Sequence, residues 1–131
     1  MTMLLEDIGT YLQTNSVGTL GTNLFLNTMP EEPDILVVVN EYLSTEPFAT
    51  MRQGAPLVER PRLQLVVRDM PQEVVAAHNR ARAAYLLLCQ LIDTFMGGKT
   101  ITLEPMDTPV LTGRDPKERV LYTVNFQVTW Q

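Results

Sequence analysis

The stretch VLYTVNFQVTW, Val120 to Trp130, alternates strictly near the end of the chain: Val120, Tyr122, Val124, Phe126, Val128 and Trp130 are large and apolar, while Thr123, Asn125, Gln127 and Thr129 are polar. A period of two sustained this long fits a β-strand with one face buried and the other turned to solvent or a lumen. Such a strand spans up to about 40 Å. It needs neighbouring strands along its edges and a second layer over its apolar face. The chain has 131 residues, and we read 1–131 as one domain. At that size roughly two thirds of the unfolded surface can be buried without metals or crosslinks.

The covering layer is written upstream. Leu4, Leu5, Ile8, Tyr11 and Leu12 recur at helical spacing between Met3 and Gln13, which predicts a short amphipathic helix. A longer helix is predicted from about Met70 to Met96. Asp69 with Gln72 resembles a capping box, Pro71 suits the first turn, and Gly97 and Gly98 suit a stop. Its broad apolar face is Val74, Ala77, Ala81, Ala84, Tyr85, Leu88, Leu91, Ile92 and Phe95. Leu86 and Leu87 fall on the opposite side.

Further strands are predicted in four places. GTLGTNLFLNTM, Gly18 to Met29, places Leu20, Leu24 and Leu26 on one face, and ILVVV begins a run from Ile35 to Tyr42; joined by the turn PEEPD, these two read as a hairpin. PRLQLVVRD alternates Leu63, Leu65 and Val67 against Gln64, Val66 and Arg68, and Thr100 to Glu104 makes a short strand. Ser44 to Pro61 has no sustained period and reads as a long loop or extended arm. Its Phe48, Met51, Leu57 and Val58 are costly to leave in water. Strands cluster around one long helix instead of alternating with helices. The fold class is therefore α+β, a mostly antiparallel sheet against one long helix, with a short N-terminal helix and a long loop or hairpin arm.

Charge argues against a general phosphate-backbone binder. Ten basic against fifteen acidic residues leave a formal net charge of −5, and the basic residues are scattered. One cysteine, Cys89, permits no internal disulfide and fits a reducing setting. The N-terminal MTMLLEDIG lacks a basic segment and breaks at Glu6 and Asp7, unlike a signal peptide, and no stretch approaches the roughly 20 apolar residues that span a bilayer. A soluble protein made inside the cell is the expectation.

Catalytic machinery is hard to assemble from these residues. His78 and Cys89 share a face of the predicted helix, but eleven residues separate them by roughly 16 Å, too far for a nucleophile and its base. The sequence FMGGKT ends like a phosphate-binding loop, yet Asp93 stands where that motif wants glycine, and the flanking elements come in the wrong order. Glu31, Glu32 and Asp34 read as a solvated acidic turn, and no cysteine or histidine spacing suggests a metal. Asp107 and Asp115 are a carboxylate pair only if the fold brings them together. We expect no catalytic residue, metal or cofactor. The rival expectation is a small ligand-binding or enzymatic α+β domain, which needs a cleft where carboxylates and His78 converge.

The order strand, Asp-initiated helix, Gly-Gly, short strand, loop, final strand carries a resemblance. It reads RLQLVVRDMPQEVVAAHNRARAAYLLLCQLI and then TITLEPMDTPVLTGRDPKERVLYTVNFQVTW, with Gly113, Arg114 and Asp115 in the loop. This resembles the bacteriophage minor capsid protein family, small proteins similar to the tail terminator, or head-tail joining, proteins of long-tailed phages. The resemblance is strongest from about Arg62 to Trp130, and the preceding helix and strands fit the family's usual order. It implies a non-enzymatic virion protein, made in the bacterial host cytoplasm, forming a ring of about six subunits that caps the tail tube. Its implied partners are other copies of itself, the major tail tube protein, and a head connector or head completion protein. DNA would pass through the lumen without specific binding, since an acidic lining repels it.

A ring subunit needs two unlike, complementary faces. The candidates are Phe48, Met51, Leu57 and Val58, the pair Leu86 and Leu87, and the turn holding Arg114 and Asp115. Asp115 also reads as a purely local turn residue ahead of Pro116. Gly97, Gly98 and Gly113 are the candidate structural turn positions. Another phage neck or minor capsid component fits the same residues and differs only in its partner.

Overall fold

A computed structural model describes residues 4–49 and 57–130; the side chains of 43–49 and 57–59 lie outside that description. The element order is α1 (Leu4–Thr14), β1 (Leu24–Leu26), β2 (Leu36–Ala49), β3 (Leu57–Asp69), α2 (Val74–Cys89), β4 (Thr94–Met96), β5 (Lys99–Pro105), β6 (Val110–Arg114) and β7 (Val120–Trp130). The class is α+β. The strands form one sheet in the order β1-β2-β3-β7-β5-β4, with β6 also paired to β7.

The alternating strand β7 is the centre of that sheet. It pairs antiparallel with β3 along one edge, while β6 and β5 share the other, β6 against Val120 to Thr123 and β5 against Phe126 to Trp130. This is why its alternation runs so long: Val120, Tyr122, Val124, Phe126 and Val128 are all buried, and Trp130 is partly so. The same face carries Val37 and Val39 of β2, Leu63, Leu65 and Val67 of β3, and Ile101 and Leu103 of β5. Both helices lie over it, α1 against β1 and β2, α2 against β3, β7 and β5. The opposite face holds a small apolar cluster of Leu36, Val38 and Val66, with Phe25 and Leu121 beside it. Next to that cluster runs a polar network. Asn125 accepts from the Tyr42 hydroxyl at 2.9 Å and donates to Asp107 at 2.9 Å, while the Gln127 amide donates to the Arg60 carbonyl at 2.9 Å.

Three expectations need correction, and a fourth is decided between its two alternatives. The expected hairpin of the first two strands is a parallel pair, with Leu24 opposite Val37. The connection between Leu26 and Leu36 is long enough to run back past a three-residue strand, so β2 re-joins β1 in the same direction. Of the long loop or hairpin arm expected over Ser44 to Pro61, the described backbone takes the arm: β2 and β3 continue as an antiparallel pair, with Phe48 opposite Val58 and Ala49 opposite Leu57. Register shifts between Tyr42 and Thr45 and between Thr45 and Phe48 account for the lost alternation.

The long helix is shorter than its apolar pattern. Asp69 ends β3 and accepts the Met70 amide and the Arg80 guanidinium, whereas α2 starts after Glu73 without a side-chain cap. At the other end the chain is captured by β5: the Leu103 amide donates to the Leu91 carbonyl at 2.8 Å, and the Asp93 amide to the Thr102 hydroxyl at 2.8 Å. Ile92 and Phe95, expected on the buried face, are 65% and 75% exposed.

Gly97 and Gly98 do not stop a helix; they are the two central residues of the β4–β5 hairpin, where Met96 pairs with Lys99. Their φ values of +59° and +80° are what a two-residue turn between right-twisted strands needs. Lys99, which follows the turn, places its Nζ 3.6 Å from the centre of the Trp130 ring. A Cβ on Gly97 would collide with the Asp7 carboxylate of α1, whereas one on Gly98 meets nothing. Gly98→Ala should cost about 1–2 kcal/mol through left-handed backbone strain alone, and Gly97→Ala measurably more. Chemical denaturation of both variants checks the order.

Candidate functional site

Two features stand out beyond the core: an ion cluster built on two buried arginines and an uneven distribution of exposed apolar side chains. The cluster ties three chain segments together. Arg68, at the end of β3 and 2% exposed, donates to the carbonyls of Pro30, Glu31, Pro33 and Asp34 at 2.9, 3.2, 2.6 and 3.2 Å. Arg119, 3% exposed, donates to Asp115 at 2.7 Å, to the Asp34 carboxylate at 3.0 Å, and to the Glu31 carbonyl at 2.7 Å. Asp115 closes its own turn by accepting the Lys117 and Arg119 amides at 3.0 and 2.9 Å. Glu31 lies outermost, 2.8 Å from Lys117 and 3.3 Å from Arg119.

The charges respond accordingly. Burial works against ionisation of Asp115, but the Arg119 amide and guanidinium and the Lys117 amide outweigh it, and the carboxyl titrates below its ordinary value. The Lys117 ammonium, by hydrogen bond and charge, lowers Glu31 and is itself raised by it. Burial, together with the like charge of Arg119, lowers Arg68. A cleft of about 280 Å³ opens over the cluster, bordered by Met29, Glu31, Arg68, Pro116, Lys117 and Arg119 among others. Every acidic group at this cleft already faces a cation, so the chemistry on view is that of a clasp holding the PEEPD turn to the β6–β7 turn. The solvated-turn reading of Glu31 and Asp34 missed this. The signal lay in two arginines, Arg68 and Arg119, set at the ends of apolar strand runs where a side chain is buried whatever its charge.

The other chemical candidates stay apart. The His78 ring stands edge-on to Tyr122 with centroids 5.7 Å apart. Cys89 is half-buried against the core. Asp107 binds the Asn125 amide and side chain while Asp115 binds Arg119, at opposite halves of β7, so the two carboxylates do not meet. Among the described residues no group of three or more His, Cys, Asp or Glu is placed to hold a metal ion. No described helix is long and apolar enough to cross a membrane.

Apart from Met29, Ile35 and Met106, the exposed large apolar side chains among the described residues fall in two groups around the ends of α2. At its last turn and just beyond are Leu86, 48% exposed, Ile92 and Phe95. Here too a groove of about 460 Å³ runs between α1, with Thr10, Tyr11 and Thr14, and the β4–β5 turn, with Met96 and Gly97. The Tyr11 hydroxyl donates to the Leu87 carbonyl at 2.9 Å and fixes α1 to this end of α2. Around the start of α2 are Met70 and Val75. The Arg114 guanidinium, donating to the Pro71 carbonyl at 2.8 Å, brings β6 to the same end, and β6 carries the exposed Val110 and Leu111. The sixteen residues of α2 set the two ends about 24 Å apart.

Of the assembly candidates, Leu86 is exposed and Leu87 half-buried at the groove end, and Arg114 lies at the β6 end. Asp115 is inside the ion cluster. Phe48, Leu57 and Val58 sit on the paired backbone of the β2–β3 hairpin, but their side chains, like all of Met51, lie outside the described residues. Sequence pattern missed the groove end because Ile92 and Phe95 fit the helical period, and missed β6 because its five residues are too short for alternation to register.

What these parts define is a two-layer α+β fold with its ion cluster tied up in turns and much of its exposed apolar surface at two unlike ends. Residues 11–131 match the model of the bacteriophage tail terminator protein family, and the chain belongs to that family. As a member it is a component of the virion tail that works in contact with other phage proteins. A search of the curated proteins returned no match.

Proposed function

We propose that this chain acts without catalysis, as a closed ring of about six copies that caps the finished tail tube and presents its far side to the head connector or head completion protein. Family membership supports the tail role. The observation that carries the ring is the pair of unlike apolar ends on α2, since a head-to-tail contact that closes by rotation uses two different patches on every subunit. The polar outer face of the sheet, with Asn125 and Gln127 hydrogen-bonded in place, suits a wall past which DNA slides without being read.

Native mass spectrometry over a concentration range, alone and with purified tail tubes, tests this reading. A closed species near six subunits is expected, and a strict monomer under both conditions would sink it. Arg114→Ala separates assembly from folding. Its two bonds go to the carbonyls of Pro71 and Glu118, both at an exposed position, so the variant should lose no more than about 1 kcal/mol of stability, while its assembly midpoint moves to higher concentration. A melting-temperature loss as large as that of a core truncation contradicts it.

A further inference from the structure

We infer that residues 29–34 form a strap closed over an apolar patch on the outer face of the sheet, locked by Arg68 and able to open while the sheet stays folded. The inference concerns the single subunit and does not need the ring.

The patch is laid out in register across four strands. Leu36 of β2 stands opposite Arg68 of β3, and Arg68 opposite Leu121 of β7; in the next row Phe25 of β1 meets Val38, and Val38 meets Val66. These positions alternate with core-facing residues, so they point to the side away from both helices. Yet Leu36, Val38 and Val66 are only 1%, 0% and 6% exposed. With the helices on the other side, another part of the chain must cover them.

Arg68 identifies the cover. Its side chain rises from the patch, itself 2% exposed, and donates to the carbonyls of Pro30, Glu31, Pro33 and Asp34 at 2.6 to 3.2 Å. The backbone of the segment between β1 and β2 therefore lies across the patch, with these carbonyls turned inward while Met29, Glu31 and Glu32 are exposed. Inward carbonyls need donors, and a guanidinium, with its N–H groups in a fork, reaches several from one position.

Both ends of the strap are hinged on β2. The Asn27 amide donates to the Val39 carbonyl at 2.9 Å and the Asn27 side chain accepts the Glu41 amide at 2.8 Å, while Leu36 is already in the sheet. None of these bonds involves 29–34, so the segment can swing off without breaking a strand ladder. Arg119 and Lys117 tie it from the side, mostly through the Glu31 and Asp34 carboxylates, whose side chains are 64% and 42% exposed. Arg68 holds it from beneath. Closed, the strap leaves this face of the sheet to polar residues such as Asn125; open, it turns an apolar patch to solvent.

Thiol labelling tests this. In a Cys89→Ala background, Leu36→Cys places a thiol under the strap and Val124→Cys places one on the core face of the same sheet. Each is made with and without Arg68→Met, which keeps an unbranched stem and removes every donor. Circular dichroism confirms that each variant folds; Arg68→Lys replaces Arg68→Met if that one does not, since one ammonium cannot span the same carbonyls. With Arg68 in place both thiols should react slowly. Removing it should speed labelling at position 36 by about tenfold or more and leave position 124 within about twofold, as expected when one segment opens apart from the whole.

Equal acceleration at both positions would mean that Arg68 supports the entire fold and no separate strap exists. No acceleration at position 36 would mean that the patch is covered without it. Either result overturns the inference, and so does a thiol at position 36 that reacts as fast as an exposed one while Arg68 is present, because the strap would then not be shut.

Discussion

Phe126→Ala is expected to lower stability by about 3–5 kcal/mol, a large part of the 5–15 kcal/mol typical of a whole domain. Phe126 is fully buried on β7, the strand that pairs on both edges. It sits opposite Leu63 of β3 and Pro105 of β5, and its ring lies 6.0 Å from that of Tyr85 on α2. Truncation therefore opens a cavity at the junction of sheet and helix, where two strands and a helix are held by separate ladders and cannot all move in to fill it. The midpoint of urea unfolding should fall sharply with an unchanged slope, since the surface exposed on unfolding hardly alters. Phe126→Leu, which keeps most of the volume, should cost less than about 1.5 kcal/mol. Thr123→Ala, on the other face of the same strand, should stay within about 0.5 kcal/mol. Equal losses for Phe126→Ala and Thr123→Ala would mean that β7 is not the centre of the core.

Much of this fold is legible from the period of its apolar residues, and the failures share a cause. Alternation from Val120 to Trp130 places β7 correctly because burial on one face acts on every second residue along its whole length. Helical spacing identifies α1 and the middle of α2 for the same reason. The pattern fails where a local tie overrides burial. Ile92 and Phe95 continue the helical period, yet Thr102 and Leu103 hydrogen-bond the chain after Leu91 into the sheet, and the Gly97–Gly98 turn fixes β4 as a strand. The PEEPD turn has the composition of any acidic surface loop. That it is gathered over Arg68 and Arg119 depends on contacts more than thirty residues away in the chain. The assembly surfaces are the least legible, because an apolar residue left out for a partner has the same sequence signature as one destined for the core.

Arg119→Leu should be the most damaging polar substitution, costing about 3 kcal/mol by leaving the largely buried Asp115 carboxylate without its cation. Asp115 and Asp34 both lose their guanidinium, and the Glu31 carbonyl loses a donor. Arg119→Lys should rescue only part of the loss, since one ammonium cannot reach both carboxylates and the carbonyl in the arginine's fork geometry. The same clasp gives the wild type a predictable response to acid. Asp115 and Glu31 both titrate below their ordinary values in the folded protein, so folding holds their protons off more strongly than the unfolded chain does. Their contribution is complete above the ordinary carboxylate range near pH 4 and is lost as the pH falls through the lowered folded values. Hydrogen exchange should therefore quicken first at the amides of Lys117 and Arg119, which Asp115 accepts, as the pH drops below about 4, while β7 amides from Val124 to Val128 stay protected. In Arg119→Leu the acid response of the Lys117 amide should shrink, because the stabilising charge is already gone. An acid transition that opens β7 and the turn together, with the same midpoint in both proteins, would show that the cluster is not a separate clasp.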